Sequence, residues 1–408
     1  MRSSDQICSP KLIYRSPLMQ VMPILHEHLS MPLHKAGIRQ TKQKALTELT
    51  SSLLNNSKLT LTSLGRHMQG QAFVKHKIKR VDRWLSNTAL YDQSFEVYQA
   101  IFSPMLLKRN ELHILIDWSG CCNWTECTLR ASLLFDGRSI CFYQEVHSTK
   151  VQQKPYIHKK FLKNLKKLIP EGCKVILITD RGFQVPWFKA VLAQGWDFIG
   201  RISNSHHFQL DEKKSWKPIK ELYKSATNKP CYLGKGGIGK SKPLEVNFYS
   251  FKDKIKRRKF KKTRNKPFYA QSQKMYKDVH KTPLIIVTSL SLSAKTAIKA
   301  YQGRMQIEQN FRDDKNERWG FGMQYNRSSS KQRIAILLLI AAIASYILML
   351  IGVTAEKMNL HKHFQANTSK RRVLSLPYLA KQVLIHLNEN FSLKEIEHSY
   401  NFIAKGAS

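Results

Sequence analysis

The uncharged segment at residues 334–353 constrains the fold most, because side chains so apolar must lie either in a membrane or inside a protein core. The segment is about long enough to span a bilayer. It is, however, the one such span in the sequence, and it closely follows a charged helical stretch. We therefore expect a helix that is buried on all sides in a large core. The alternative, a membrane anchor, predicts that the protein sediments with membranes after a high-salt wash.

The composition favours a folded protein that binds a polyanion. Lys and Arg number 68 against 28 Asp and Glu, which gives a net charge of +40, and 42% of the residues are hydrophobic. Nucleic acid is the first candidate partner for this charge, and an anionic membrane surface is the second. The seven cysteines form no CxxC pair, which favours a reducing compartment over a disulfide framework or a zinc module.

Residue patterning divides the chain into regions of different character. We expect a loose N-terminal extension (1–40), a helical DNA-binding domain (41–105), the first part of a catalytic core (106–202), a basic, mostly β insertion (203–292), helices that close the core (293–356) and a helical C-terminal region (357–408). The region 106–202 is expected to run β-β-β-α-β-α-β, which is typical of a mixed sheet with helices on its faces. The predicted fold class is therefore α/β, interrupted by the insertion and flanked by helical regions.

A basic helix after the glycine turn at Gly70 is the main candidate for DNA contact. Ile78, Val81 and Leu85 recur at helical spacing and predict its buried side. A helix, a glycine turn and a basic helix favour a helix-turn-helix-like reader of duplex DNA. The alternative is a solvated basic face on an all-helical domain. The residues left for phosphate groups are Lys75, Lys77, Lys79, Arg80 and Arg83.

Two aspartates each follow a short apolar strand. Asp117 comes after residues 112–116, and Asp180 comes after residues 174–179. Sites gather at the carboxyl ends of strands in open sheets, so both aspartates are candidates for a functional site. For one such aspartate alone, a role in a turn or a helix cap is the more common explanation.

Residues 301–315 contain no proline and one glycine near the start, so a single helix is expected. At about 100° per residue, four of its polar residues fall within an arc of roughly 60°. Glu308 can hold a divalent metal there, and Arg304 and Lys315 can bind a phosphate. Ion pairs on a solvated helix face are the alternative. The four residues are Tyr301, Arg304, Glu308 and Lys315.

Asp117, Asp180 and Glu308 are expected to converge if this charged helix packs beside the strand ends. Three carboxylates with few other ligands suit Mg²⁺, with Mn²⁺ as a substitute. Two such ions about 3.5–4 Å apart activate an attacking oxygen and stabilise a leaving oxygen. The predicted chemistry is phosphodiester cleavage and strand transfer.

The four polar residues of the charged helix reproduce the Y-(2)-R-(3)-E-(6)-K spacing, and the chain resembles the IS-four family of DDE insertion-sequence transposases. The segments ILIDWSG around Asp117 and ILITDRGFQVPWFKAV around Asp180 are similar to the first and second acidic motifs of that family. KHKIKRVDRWLSN and HFQANTSKRR are similar to terminal regions of one subgroup, whose best-known member mobilises a tetracycline-resistance composite transposon. The resemblance begins near residue 42 and does not cover residues 1–40.

The resemblance implies an RNase H-like core in which the three acidic residues named above bind the metal. It implies that Tyr301 and Arg304 contact phosphate near the transposon end and that Lys315 holds the terminal strand. The implied activity is cut-and-paste transposition through a hairpin, on double-stranded DNA of the transposon ends and the target. A synaptic homodimer, formed with help from the C-terminal region, and a bacterial, cytoplasmic, nucleoid-associated location without a membrane are also implied.

Several alternatives stay open at this point. Asp313 and Asp314 lie near Glu308 in the sequence, and either can compete for its role. A DNA-binding regulator on an inactive transposase scaffold predicts the same salt-sensitive binding without Mg²⁺-dependent cleavage. A hairpin requires an unstacked base held by an aromatic side chain. The candidates for that role are Trp216, Tyr249 and Tyr269.

Overall fold

A mixed β-sheet forms the centre of the computed structural model, which describes residues 17–55, 57–121, 125–210, 215–253, 282–387 and 389–406. Its strands in this part of the chain are β1 (Glu111–Gly120), β2 (Glu126–Leu133), β3 (Ile140–Ser148), β4 (Lys174–Thr179), β5 (Asp197–Arg201), β6 (His207–Gln209), β7 (Lys217–Pro218), β8 (Cys231–Ile238), β9 (Leu244–Phe251) and β10 (Leu284–Thr288). The spatial order is β3-β2-β1-β4-β5-β10-β9-β8-β6-β7. β1, β4 and β5 are parallel, and the other pairs are antiparallel.

The expected order of elements in the first half of the sheet is confirmed. Helix Pro155–Lys166 connects β3 to β4, and helix Val185–Leu192 connects β4 to β5. Parallel neighbours need such crossover connections, whereas the antiparallel strands β1, β2 and β3 are joined by short loops. A mixed α/β fold is therefore what the sequence pattern predicted.

The basic insertion continues this sheet and does not form a separate β subdomain in its described part. β10 pairs antiparallel with β5, so that Val287 lies opposite Gly200, and β9, β8, β6 and β7 follow outward. The glycine-rich residues 234–238 lie in β8, which pairs with β9. Most of the lysine and arginine run after Phe251, together with Tyr269, lies outside the described residues.

Apolar side chains cover both faces of the sheet. Ile114 and Ile116 belong to the main core, whereas Leu115 belongs to a second core on the opposite face. This alternation follows from the two-residue period of a strand. The second core is completed by helices Ala294–Gln302 and Met305–Lys315. Asp117 lies two residues after Leu115 on β1, so its side chain points to the same face of the sheet, toward those two helices.

The apolar segment at residues 334–353 lies inside helix Lys331–Lys357, which we call the core helix. This helix is long and apolar enough to cross a membrane, and 89% of its most apolar stretch is buried inside the protein. It contacts helices that precede it and helices that follow it in the sequence, as well as β3. These contacts agree with the expected core helix. The helices that contact it are Gln40–Leu54, Val74–Leu85, Thr88–Asp92, Ser94–Leu106, Leu376–His386 and Leu393–Lys405, and helix Leu61–His67 packs against Val74–Leu85.

The expectation of a loose N-terminal extension is wrong for residues 17–35. They form helix Pro17–Leu25, a π-helical turn His26–Ser30 and helix Met31–Lys35. Val21, Ile24 and Leu29 are fully buried in the main core. Pro32 lies in the first turn of its helix, a position that tolerates proline. The helices of residues 41–105 share the same core, so they form no separate domain.

His28 provides a test of this N-terminal packing. Its ring lies 6.2 Å from that of Tyr346 and 5.5 Å from that of Tyr400, and burial lowers its pKa to about 4. The unfolded chain takes up this proton below about pH 6.5, whereas the folded protein does not until about pH 4. The free energy of unfolding is therefore expected to fall as the pH drops from 6.5 to 4.

A His28→Phe variant keeps an aromatic ring and removes the titrating group, so its stability is expected to fall less steeply over this pH range. Urea unfolding at pH 7, 6 and 5 measures the two slopes. His158 has its pKa lowered in the same way, so part of the slope is retained in the variant. Equal slopes in the wild type and the variant would show that His28 is not buried as described.

Candidate active site

The expected single helix at residues 301–315 is two helices with a tight joint. Ala294–Gln302 ends before Gly303, and Met305–Lys315 begins after Arg304. At the joint, the Arg304 N–H donates to the carbonyl of Tyr301 at 3.0 Å, an i→i+3 bond. A Cβ on Gly303 would lie 2.8 Å from Cδ1 of Leu134, so the glycine permits close approach to the end of β2. The break turns the side chains of both helices toward the tips of β1 and β4.

Asp117 and Asp180 lie on neighbouring parallel strands at the edge where β4 ends. Asp180 directly follows β4, as predicted. Asp117, by contrast, lies within β1, because β2 continues to pair with β1 as far as Gly120 after the pairing with β4 has ended at Ile116. The sequence therefore placed this aspartate correctly next to Asp180 but wrongly beyond its strand.

Arg304 connects two of the three predicted acidic residues, Asp117 and Glu308, and Tyr301 bonds to the third. Nη1 of the arginine donates to Oδ2 of Asp117 at 3.1 Å, and its Nη2 donates to Oε1 of Glu308. The hydroxyl of Tyr301 donates to Oδ1 of Asp180 at 3.1 Å. The arginine side chain is 7% exposed, and its Nε has no hydrogen-bond partner among the described residues. One guanidinium thus provides the positive charge between Asp117 and Glu308, while Tyr301 orients Asp180.

The positive charge of Arg304 does not fully offset the burial of the Asp117 carboxylate. Its pKa is raised to about 7: burial is the largest cause, Asp180 and Glu308 add to it, and Arg304 opposes it. Burial also acts to raise the pKa of Asp180, but Arg304 and the Arg181 N–H outweigh it, so that pKa is lowered. A further cation beside Asp117 would keep its carboxylate ionised at neutral pH.

The donor set fits a hard divalent cation, although the side chains are not arranged as a closed cage. Within the ranges that the structure describes, no three His, Cys, Asp or Glu side chains are grouped so that they could hold one ion. Arg304 lies between Asp117 and Glu308 and explains this spacing. The carboxylate oxygens of Asp117, Asp180 and Glu308 are nevertheless the type of ligand that Mg²⁺ takes.

An open cleft of about 430 Å³ lies beside these carboxylates. Lys315 lines it and donates from Nζ to Oγ of Ser119 at 2.9 Å. Sequence analysis did not identify Arg312, Asn316 and Gln324, which also line the cleft. Arg312 could have been found, since it follows Glu308 by one helical turn; Asn316 and Gln324 lie beyond the helix, where periodicity gives no signal.

The two neighbouring acids Asp313 and Asp314 are engaged away from the cleft. Asp314 accepts a hydrogen bond from Nη2 of Arg130 at 2.6 Å, and both side chains are almost fully buried. Asp313 accepts from Nε of Arg138 at 2.6 Å. Glu308, not either aspartate, is therefore the acid of this helix that pairs with Arg304.

The other predicted DNA-binding residues differ in accessibility. On helix Val74–Leu85, Lys75, Lys79 and Arg83 are exposed, whereas Lys77 and Arg80 are partly buried. Nη1 of Arg80 lies 3.4 Å from a carboxylate oxygen of Glu48, so this arginine is partly neutralised.

Two of the aromatic candidates are described, and they differ. Tyr249 is fully buried and donates its hydroxyl to the carbonyl of Leu292 at 2.8 Å, so it cannot receive a base. Trp216 is partly exposed. Tyr301, expected to contact phosphate, is 5% exposed with its hydroxyl bonded to Asp180, which suits it to orienting that carboxylate.

Residues 116–345, which include all three acids, match the family model described as the transposase DDE domain. The match covers more than half of the chain, and the protein therefore belongs to the transposase DDE-domain family. No curated protein sequence matches the chain significantly. Among solved structures, the chain is similar to a piggyBac transposase synaptic complex with hairpin DNA, determined by cryo-EM, at 10% identity and a TM-score of 0.41 over 95% of this chain and 85% of that chain.

Proposed function

We propose that this transposase binds the terminal inverted repeats of an insertion sequence and moves the element by cut-and-paste transposition of the IS-four type, using Mg²⁺. The observation that carries the proposal is the convergence of Asp117 and Glu308 on Arg304, with Asp180 on the adjacent strand. The strand order β3-β2-β1-β4-β5, antiparallel then parallel, supports an RNase H-like core around this site.

In this proposal, Asp117, Asp180 and Glu308 hold the metal. When bound, Mg²⁺ polarises the scissile phosphate and lowers the pKa of the attacking oxygen. The contact of Arg304 with a phosphate oxygen rests on the family resemblance, because its one nitrogen without a partner among the described residues, Nε, is buried. Lys315, held by Ser119 at the cleft, is placed for a second phosphate contact on the same strand.

The DNA partner follows from the charge of the chain. A surplus of +40 and the exposed Lys75, Lys79 and Arg83 favour binding to the phosphates of the transposon ends and the target. A hairpin intermediate, a synaptic homodimer and a cytoplasmic, nucleoid-associated location are parts of the same proposal, and they rest on the family resemblance described above.

The proposal is tested with purified protein and linear DNA that carries the ends of the element encoding this chain. With Mg²⁺, we expect flush breaks at the element ends together with hairpin-ended fragments on a denaturing gel; with EDTA, we expect binding without cleavage. Nicks that never mature into hairpins would contradict the hairpin step alone. Salt-sensitive binding without any cleavage, in Mg²⁺ or in Mn²⁺, would contradict the proposed catalysis.

A further inference from the structure

An exposed apolar tip precedes the basic helix Val74–Leu85. Phe73 is 75% exposed and Val74 is 48% exposed, immediately before the exposed Lys75. The carbonyl of Phe73 accepts hydrogen bonds from the N–H groups of His76 at 2.9 Å and Lys77 at 3.1 Å, so the tip is fixed by the first turn of the helix. Apolar side chains of this size gain from contact with an apolar partner, and the cations beside them suit a polyanion that offers both.

The helix that bears this tip is rigidly packed. Gly65 of the preceding helix lies so close to Ile78 that an added Cβ would be 2.7 Å from its Cα. Val81 and Leu85, on the inner side, are fully buried. The outer side, with Phe73 and Arg83, is therefore held toward solvent in a helix-turn-helix-like pair.

The helix pair is also connected to the active-site cleft. The Leu59 N–H donates to the carbonyl of Phe321 at 2.7 Å, and Nδ2 of Asn326 donates to the carbonyl of Leu59 at 2.8 Å. These bonds join the helix pair to the segment that contains Gln324, a residue lining the cleft. The helix pair is thus joined through hydrogen bonds of buried residues to the segment that lines the cleft.

We infer that Phe73 reads thymine in duplex DNA by packing against the C5-methyl group in the major groove. In helix-turn-helix proteins, the first residues of the second helix contact base edges. Apolar side chains discriminate thymine through its methyl group, which the other bases lack. The cations Lys75, Lys79 and Arg83 match the phosphates that flank such a site. The inference rests on the proposed function, since it takes duplex DNA as the substrate.

The test can be run on random DNA, without the sequence of the element ends. Wild-type protein selects preferred duplexes from a random pool, and each thymine of a selected duplex is then replaced by uracil, which lacks the methyl group. Fluorescence anisotropy at fixed salt is expected to show about fourfold weaker binding when a contacted methyl is removed, the effect of exposing one methyl-sized group. Phe73→Ala is expected to bind the thymine and uracil duplexes equally.

Two variants serve as controls. Leu107→Ala removes another exposed apolar side chain, 67% exposed and at the end of helix Ser94–Leu106, and is expected to keep the preference for thymine. Lys79→Ala is expected to weaken binding to both duplexes and to lower the salt slope by about one. A Phe73→Ala variant that still prefers thymine overturns the inference and leaves the proposed function intact. A pool without any preferred sequence counts against both, because recognition of terminal repeats requires a sequence preference. Failure of the wild type to bind any duplex overturns both.

Discussion

An Asp180→Asn variant is expected to bind DNA as tightly as the wild type and to cleave it roughly 10³-fold more slowly in Mg²⁺. The amide oxygen can still accept the hydrogen bond of Tyr301, so the local packing is kept. The metal, however, loses a charged ligand, and several kcal/mol of charge stabilisation correspond to about this factor. Asp117→Asn and Glu308→Gln are expected to behave in the same way. Cleavage is followed on denaturing gels and binding by anisotropy, with the same end-containing duplex.

Asp313→Asn is the matched control for these variants. It makes the same chemical change on helix Met305–Lys315, which also carries Glu308, but Asp313 is bonded to Arg138 and not to Arg304. Cleavage by this variant is expected to remain within about threefold of the wild type, since a lost charge on a partly exposed pair is worth little. Loss of cleavage in Asp313→Asn with normal cleavage in Glu308→Gln would assign the third carboxylate to Asp313.

Arg130→Ala is expected to lower the free energy of unfolding by about 3–5 kcal/mol, because it leaves Asp314 charged and buried without its partner. The side chains of this pair are 3% and 8% exposed, and Arg130 also donates to Oε1 of Gln144 at 2.8 and 2.9 Å. The Arg130 guanidinium also lies 4.4 Å from the centre of the Phe311 ring on helix Met305–Lys315. Urea unfolding followed by circular dichroism measures the loss.

The exposed pair of Lys235 and Glu245 provides the comparison. Its charged atoms are also 2.6 Å apart, but the side chains are 58% and 65% exposed, so Lys235→Ala is expected to cost less than about 1 kcal/mol. Replacing both buried partners by apolar residues, as in Arg130→Met with Asp314→Leu, is expected to recover most of the stability lost in Arg130→Ala. If Arg130→Ala were no less stable than Lys235→Ala, the pair of Arg130 and Asp314 would not stabilise the packing of helix Met305–Lys315 on β2.

The sequence predicted those features that depend on local periodicity. The order of strands and helices around Asp180 and the burial of residues 334–353 follow from short apolar runs and from the length of an uncharged helix. Asp117 was placed beyond its strand because the pairing that extends β1 comes from β2, a partner that periodicity within β1 cannot reveal. The break at Gly303 likewise depends on contact with Leu134, which is distant in the sequence.

The chemistry of the site was predicted only in part, because it too depends on contacts between residues that are distant in the sequence. Spacing alone placed the four polar residues of the charged helix near each other, but it could not show that Arg304 pairs with Asp117 and Glu308. Nor could it separate Glu308 from Asp313 and Asp314, because these two aspartates are engaged by Arg130 on β2 and by Arg138 in the turn between β2 and β3. The N-terminal helices were not predicted, because helix Pro17–Leu25 packs against helices Leu376–His386 and Leu393–Lys405, which are distant in the sequence.

The position of the core helix late in the chain determines when the protein can fold during synthesis. Helices Gln40–Leu54 and Ser94–Leu106 bury apolar residues against Lys331–Lys357, which leaves the ribosome much later. At about 5–20 residues per second, the delay is roughly 10–50 s. Throughout that interval the emerging helices expose surface that has no covering partner, and a product truncated before residue 331 would keep it exposed permanently. Premature termination should therefore yield aggregates, not a stable DNA-binding fragment.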